Sequence, residues 1–336
     1  MITPGLVDLQ VNGFAGHDVN ADDVTVDTLA SLTHALWGRG VTTYLPTVIT
    51  ASEEKILHVL SVIAAARRSD PLLAHSIAGI HVEGPSLAVE DGPRGAHDRD
   101  HLRDPDIAEL DRWQLAADGA VRLVTTAPER PGAAQYIAAA TARGVRVSLG
   151  HCAPSPAEVR AAVAAGATLS THLGNGTASM LPRHPNHLWT QLAEDRLIAM
   201  LIADGHHLPA ETLTVMIRAK GPERCVLTSD SAALAGMPSG RYRTPVGGDV
   251  EVAPDGRLSL AGTGYLAGSG SDLRSCLDWA RSALPFAPAQ LLDMASRIPA
   301  SLLGLEERTA EGGDTVLLEE GLVVEARVAG MPIHRA

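Results

Sequence analysis

Cysteine is scarce in this chain of 336 residues: there are three, Cys152, Cys225 and Cys276, and no two form a CxxC pair. That is too few for a disulfide framework and the wrong spacing for a thiolate metal cluster, so a reducing, cytoplasmic setting is expected. Aromatic residues make up only 3% of the chain, which leaves little material for stacking on bases. Lys and Arg are nowhere gathered into a run, and the formal net charge is -12, so a nucleic acid or an anionic membrane is excluded as partner. No stretch of 18 apolar residues occurs, and the opening MITPGLVDLQVNG has no basic leader ahead of an apolar segment; neither secretion nor membrane spanning is indicated. A phosphate-cradling loop is missing too, because no Gly-Lys-Ser/Thr follows the glycines around Asp91-Gly-Pro-Arg94.

What is present is a rhythm. Hydrophobic residues form 45% of the chain, enough for a large core, and short β-rich runs alternate with longer helical stretches. The runs are Leu6–Val11, Thr42–Pro46, Ile77–Val82, Val121–Thr126, Val145–Leu149, Thr168–Thr171, Leu197–Ala203 and Cys225–Thr228. Helices are predicted between them, among them Val26–Trp37, Glu53–Arg68, Ala134–Arg143 and Pro156–Ala165. Eight parallel strands joined by helices predict an α/β fold of the (β/α)8, TIM-like type, over residues 1–305. Two further helices, Ser271–Ala283 and Pro288–Leu303, are expected after the last strand, and Ala235–Gly264 reads as a long loop or hairpin insertion. The end, residues 306–336, alternates like two or three short strands and predicts a small C-terminal β element.

In such barrels the reacting groups stand at the carboxyl ends of the strands. There the sequence places Gln10 and Asn12, Glu83, Thr125 to Glu129, His151, His172, Asp204 to His207, and Asp230. Glu83, His151 and His172 make a one-carboxylate, two-imidazole set suited to one divalent ion, zinc by preference, with a position left for water. A metal so held would acidify its water and polarise a carbonyl, and Asp230 would take and return the proton, which is the chemistry of amide hydrolysis. Singly, a strand-end histidine is more often structural; the joint placement is what counts. Cys152, beside His151, reads as a structural residue.

The segments PGLVDLQVNG, GIHVEGP, GAH ending at His97, TTAPE, LGH, THLGN, IADGHH, LTSD and LAGS from Leu266, in this order, resemble the N-acetylglucosamine-6-phosphate deacetylases of the amidohydrolase superfamily. The resemblance spans nearly the whole chain. It implies the same metal ligands and the same acid/base, His97 hydrogen-bonding the acyl carbonyl, and Asn175, Gly176 and His207 at the substrate. It also implies a homodimer in which Arg183 reaches the neighbouring site. Gln10 and Asn12 fall where many relatives carry a second pair of metal ligands; amides ligate zinc poorly, so one metal is expected.

Two departures stand out. Asn175-Gly176-Thr177 replaces the usual Asn-Ala-Met, and LPRHPNHLWTQ, with His184 and His187, replaces a glycine-rich stretch. The family also has more chain before the first barrel strand, so the N-terminal half of its small β-sandwich is expected to be missing. The leading expectation is a metal-dependent deacetylase of an N-acetylated amino sugar 6-phosphate. The alternatives are the same machinery acting on another N-acylated small molecule, and a noncatalytic sugar-phosphate-binding barrel.

Overall fold

A computed structural model describes residues 1–244, 248–262 and 266–335. Eight parallel strands, Leu6–Val11, Val41–Ile49, Ile80–Glu83, Val121–Thr126, Arg146–Leu149, Leu169–Ser170, Ile198–Ile202 and Cys225–Thr228, pair in sequence order. The first and eighth meet at the carboxyl end, where Asn12 N and Gly13 N donate to Ser231 O at 2.9 and 3.1 Å. The result is a (β/α)8 barrel. Strand boundaries differ from the sequence expectation by a few residues; the sixth strand shrinks to two, because the chain turns sharply there to present the residue that follows.

The period of two along each strand sorts side chains into layers. On the seventh strand Ala199 and Leu201 pack outward with the helices, whereas Met200 joins an inner cluster with Val7, Leu9, Leu45, Leu123, Leu169 and Val226. Ala300, Leu302 and Leu303 belong to that cluster and close the floor. The helices are set by their ends. Pro156–Ala165 begins with a Ser155/Glu158 capping box and a proline in its first turn, and it stops at Gly166 in a left-handed conformation. The predicted single helix Pro288–Leu303 is broken at Ser296 into Pro288–Ala295 and Arg297–Leu302, and the second piece drops its apolar residues under the barrel.

The insertion after the eighth strand is a three-stranded antiparallel sheet of Gly240–Thr244, Gly248–Val252 and Leu258–Leu260. Residues 245–247 and 263–265 of it lie outside the described residues. The end of the chain forms strands Thr315–Glu319, Leu322–Val328 and Met331–Arg335, joined by Ile2–Pro4 as an edge strand. The small sheet thus draws on both ends of the chain and not on the C-terminal strands alone. Three residues are too few to carry a readable alternation. Among the described residues no helix is long and apolar enough to cross a membrane.

Candidate metal centre and active site

Glu83 ends the third strand; His151 and His172 follow the fifth and sixth, and Asp230 the eighth. The last three hold positive φ, 47°, 29° and 49° respectively. Left-handed backbone in a residue with a Cβ is unfavourable by about 1–3 kcal/mol, and its clustering here is the mark of a site held in place by its surroundings. Two glycines do part of the holding. A Cβ on Gly95 (φ 61°) would lie 2.9 Å from His151 Cε1, and one on Gly176 (φ 56°) 2.8 Å from His151 Nδ1, so only glycine lets these loops clasp the imidazole.

The acceptor atoms converge. His172 Nε2 stands 3.0 Å from His151 Nε2 and 3.2 Å from Glu83 Oε1, and His151 Nε2 stands 3.6 Å from the same oxygen. Ligands about 2.0–2.1 Å from a tetrahedral ion are separated by roughly 3.3 Å, so these spacings fit a zinc-sized cation. His151 Nδ1 donates to Pro93 O at 2.9 Å, which leaves Nε2 as a lone pair facing the centre. His172 Nδ1 is buried without a hydrogen-bond partner. Burial, reinforced by the neighbouring His172 charge, pushes His151 down to about 4; burial also lowers His172. Both imidazoles are therefore neutral at pH 7, the form that ligates. Burial raises the Glu83 carboxyl against the pull of His151 and Gln10. Ligand atoms of Glu83, His97 and His151 also lie within 4.8 Å of one another. The set with His172 is the tighter, since His97 Nε2 comes only within 3.7 Å of Glu83 Oε2.

The two amides at the first strand hold carboxylates. Gln10 Nε2 donates to Glu83 Oε1 at 3.0 Å and Asn12 Nδ2 to Asp230 Oδ1 at 2.8 Å. Asp230 is pushed up to about 7, first by burial and then by the Glu83 charge. His97 is buried with Nδ1 2.9 Å from Thr50 Oγ1, and burial together with the neighbouring histidines holds it well below its ordinary range.

A cavity of about 490 Å³ opens over these groups. His207, Asn175 and Gly176 line it, and Asn175 Nδ2 is buried without a partner. Its outer wall is apolar, with Ile202 from the barrel and Leu234, Val250, Leu258 and Leu266 from the insertion, and neither Lys nor Arg is among its described lining residues. Arg183 does not line the cavity and is exposed. The histidines near it part company: His184 is exposed, whereas His187 is 3% exposed with Nε2 2.9 Å from Thr177 Oγ1, an internal tie across the altered loop. Cys152 is buried with its thiol raised well above the usual range by burial and by Glu129, which disarms it as a nucleophile. Sequence reasoning placed Asp204 at a strand end but gave it no role; its Oδ2 accepts from His207 Nδ1 at 2.7 Å. The Asp-x-x-His spacing was the available signal.

The model of the amidohydrolase family matches residues 1–310. N-acetylgalactosamine-6-phosphate deacetylase of Escherichia coli O157:H7 is 34% identical over 97% of this chain and 85% of its own length. Human N-acetylglucosamine-6-phosphate deacetylase is 36% identical over 97% of this chain and 81% of its own. Among solved structures, N-acetyl-D-glucosamine-6-phosphate deacetylase from Mycobacterium smegmatis, in complex with N-acetyl-D-glucosamine-6-phosphate, is 32% identical, with a TM-score of 0.87 over 99% of this chain and 86% of that one. A strand-end Glu/His/His centre on a (β/α)8 barrel, in a chain this similar to these hydrolases over nearly its full length, belongs to an enzyme of the amidohydrolase family, in the branch of the N-acetylglucosamine-6-phosphate deacetylases.

Proposed function

We propose that this enzyme removes the acetyl group from an N-acetylated hexosamine 6-phosphate, N-acetylglucosamine-6-phosphate by default. The observation that carries the reading is the convergence of Glu83 Oε1, His151 Nε2 and His172 Nε2 at 3.0–3.6 Å beside Asp230. These three would hold one divalent ion, with zinc as first choice. When bound, the ion supplies Lewis-acid polarisation of the amide carbonyl, acidification of water, and a charge that draws Asp230 back to its ionised form.

The chain's own residues do the rest. Asn12 holds Asp230 Oδ1, leaving Oδ2 to receive the proton of the attacking water and deliver it to the leaving amine nitrogen. Thr50 Oγ1, 2.9 Å from His97 Nδ1, holds that edge of the ring, and Nε2 is the atom that would face the acyl oxygen as charge builds on it. Asn175 and His207, which line the same cavity, orient the sugar. Arg183, exposed and not among the described residues that line its own cavity, would serve a neighbouring subunit in a homodimer. Three buried, unpaired cysteines suit a cytoplasmic location.

A second reading keeps this machinery and changes the substrate to an unphosphorylated or more apolar N-acyl compound. It is favoured by the apolar outer wall and by the absence of Lys and Arg from the described lining. Metal analysis of the purified enzyme, with kinetics on N-acetylglucosamine-6-phosphate and on N-acetylglucosamine, decides. Bound metal and a strong preference for the phosphorylated sugar support the default. Equal or absent activity on both sugars overturns it. A metal-free, inactive wild type would leave a binding barrel.

A further inference from the structure

His207 lines the cavity, and a carboxylate in its own strand-end turn dictates how its ring is turned. Asp204, 7% exposed, splits its two oxygens between different tasks. Oδ1 accepts the backbone N–H groups of His206 and His207, both at 2.9 Å, and so braces the turn after the seventh strand. Oδ2 accepts from His207 Nδ1 at 2.7 Å and from the Ser269 hydroxyl at 3.4 Å. Although burial pushes the Asp204 carboxyl up, the His207 hydrogen bond and charge and the two backbone N–H groups outweigh it and hold the group at about 2. An ionised carboxylate only accepts, so the proton between them sits on Nδ1. Nε2 is then the nitrogen left over, and it has no partner among the described residues.

We infer that Asp204 is a positioning residue that fixes the ring and the Nδ1–H tautomer of His207, so that Nε2 is the atom offered to the substrate. The inference rests on the reading of His207 as a substrate contact and adds the group that makes that contact directional. An imidazole turned by 180°, or carrying its proton on the other nitrogen, would present the wrong atom to a substrate oxygen even with every other residue in place.

Asp204→Asn is the informative substitution because the geometry dictates its outcome. The amide oxygen has to stay on the two backbone N–H groups, which places the NH2 against His207 Nδ1. That nitrogen must then accept, and the proton moves to Nε2. Nitrogen-15 NMR of histidine-labelled enzyme is expected to show His207 as the Nδ1–H tautomer in the wild type and as Nε2–H in the variant. With N-acetylglucosamine-6-phosphate as substrate, kcat/KM is expected to fall roughly tenfold to a hundredfold. In a His207→Ala background the same substitution should change it less than about twofold, since a residue acting through His207 has nothing left to act through.

A full loss retained in the His207→Ala background would mean that Asp204 merely braces the turn, and the inference falls. An unchanged tautomer in Asp204→Asn overturns it as well. Unchanged kinetics in His207→Ala alone would instead remove His207 from substrate binding; that failure belongs to the functional reading, and the NMR result tells the two apart.

Discussion

On the seventh strand Met200 and Ile202 point to the same side of the sheet, one into an apolar cluster sealed by Ala300, Leu302 and Leu303, the other into the cavity beside the histidines. The two ends of the barrel are therefore continuous in backbone and opposite in design. The floor is apolar and buried, closed by Ala300, Leu302 and Leu303. The rim carries three left-handed residues, His151, His172 and Asp230, and several buried polar atoms without partners, among them Gln10 Oε1, Asn12 Oδ1 and His172 Nδ1. Orphaned groups and unfavourable dihedrals lower stability, and they persist at the rim because the closed sheet beneath holds the strand ends in place. Folding energy is made at the floor and spent at the rim.

The largest effect that would sharpen this contrast is at the rim. Asp230→Asn is expected to lower kcat by roughly 10²–10⁴-fold, the range of a lost general acid/base, while leaving the melting temperature unchanged or higher because a buried charge is removed. A variant that unfolds, or that retains full turnover, would break the division. The floor should respond in the reverse sense. Met200→Ala is expected to destabilise by about 2–5 kcal/mol in urea unfolding, with kcat and KM unaltered at a temperature where it is folded. A shifted KM in that variant would mean that the floor reports to the site.

Metal removal comes next. An ion at 100 times its dissociation constant stabilises by about 2.7 kcal/mol, so a chelator is expected to lower the melting temperature of the wild type and of Met200→Ala alike, and to leave His172→Ala unmoved. An unresponsive wild type would show that the rim binds no ion.

The floor was more legible in the sequence than the rim. Apolar runs such as Val121–Thr126 and Cys225–Thr228 carry their own period and coincide with the observed strands. Glu83, His151, His172 and Asp230 stand out in the sequence because each ends or follows such a run. The ties between them do not. Asp204 to His207, Thr177 to His187 and Gln10 to Glu83 are side-chain contacts made in turns or across the barrel, where no periodicity records them. Left-handed backbone at a histidine leaves no trace in composition either. Only Gly176, standing where an alanine was expected, hinted at the close packing it permits.

Asp8 marks the seam between the two regions, and its effect is one of pH alone. Its Oδ1 takes every donor within reach, Thr228 Oγ1 at 2.9 Å, Ser229 N at 3.2 Å and Gln10 N at 3.3 Å, and its Oδ2 has none. Burial raises the carboxyl to about 6 against those hydrogen bonds, above the 3.8 of an exposed aspartate. A group raised in the folded state favours folding less once it ionises: below about pH 4 it is protonated in both states and contributes nothing, and between about pH 4 and 6 stability is lost as pH rises. By pH 7 the loss from this group alone approaches roughly 3 kcal/mol. Asp8→Asn keeps the accepting oxygen, abolishes the titration, and puts an amide NH2 where the protonated wild type carries an equally unpartnered Oδ2–H. At pH 4.5 the two proteins should therefore lie within about 1.5 kcal/mol of each other. At pH 7 the variant should be the more stable, by up to about 3 kcal/mol. Because Glu83 and Asp230 titrate in both proteins, the difference between them isolates Asp8; a difference that stays constant from pH 4.5 to 7 would mean that the carboxylate is ionised throughout and that the seam belongs with the polar rim.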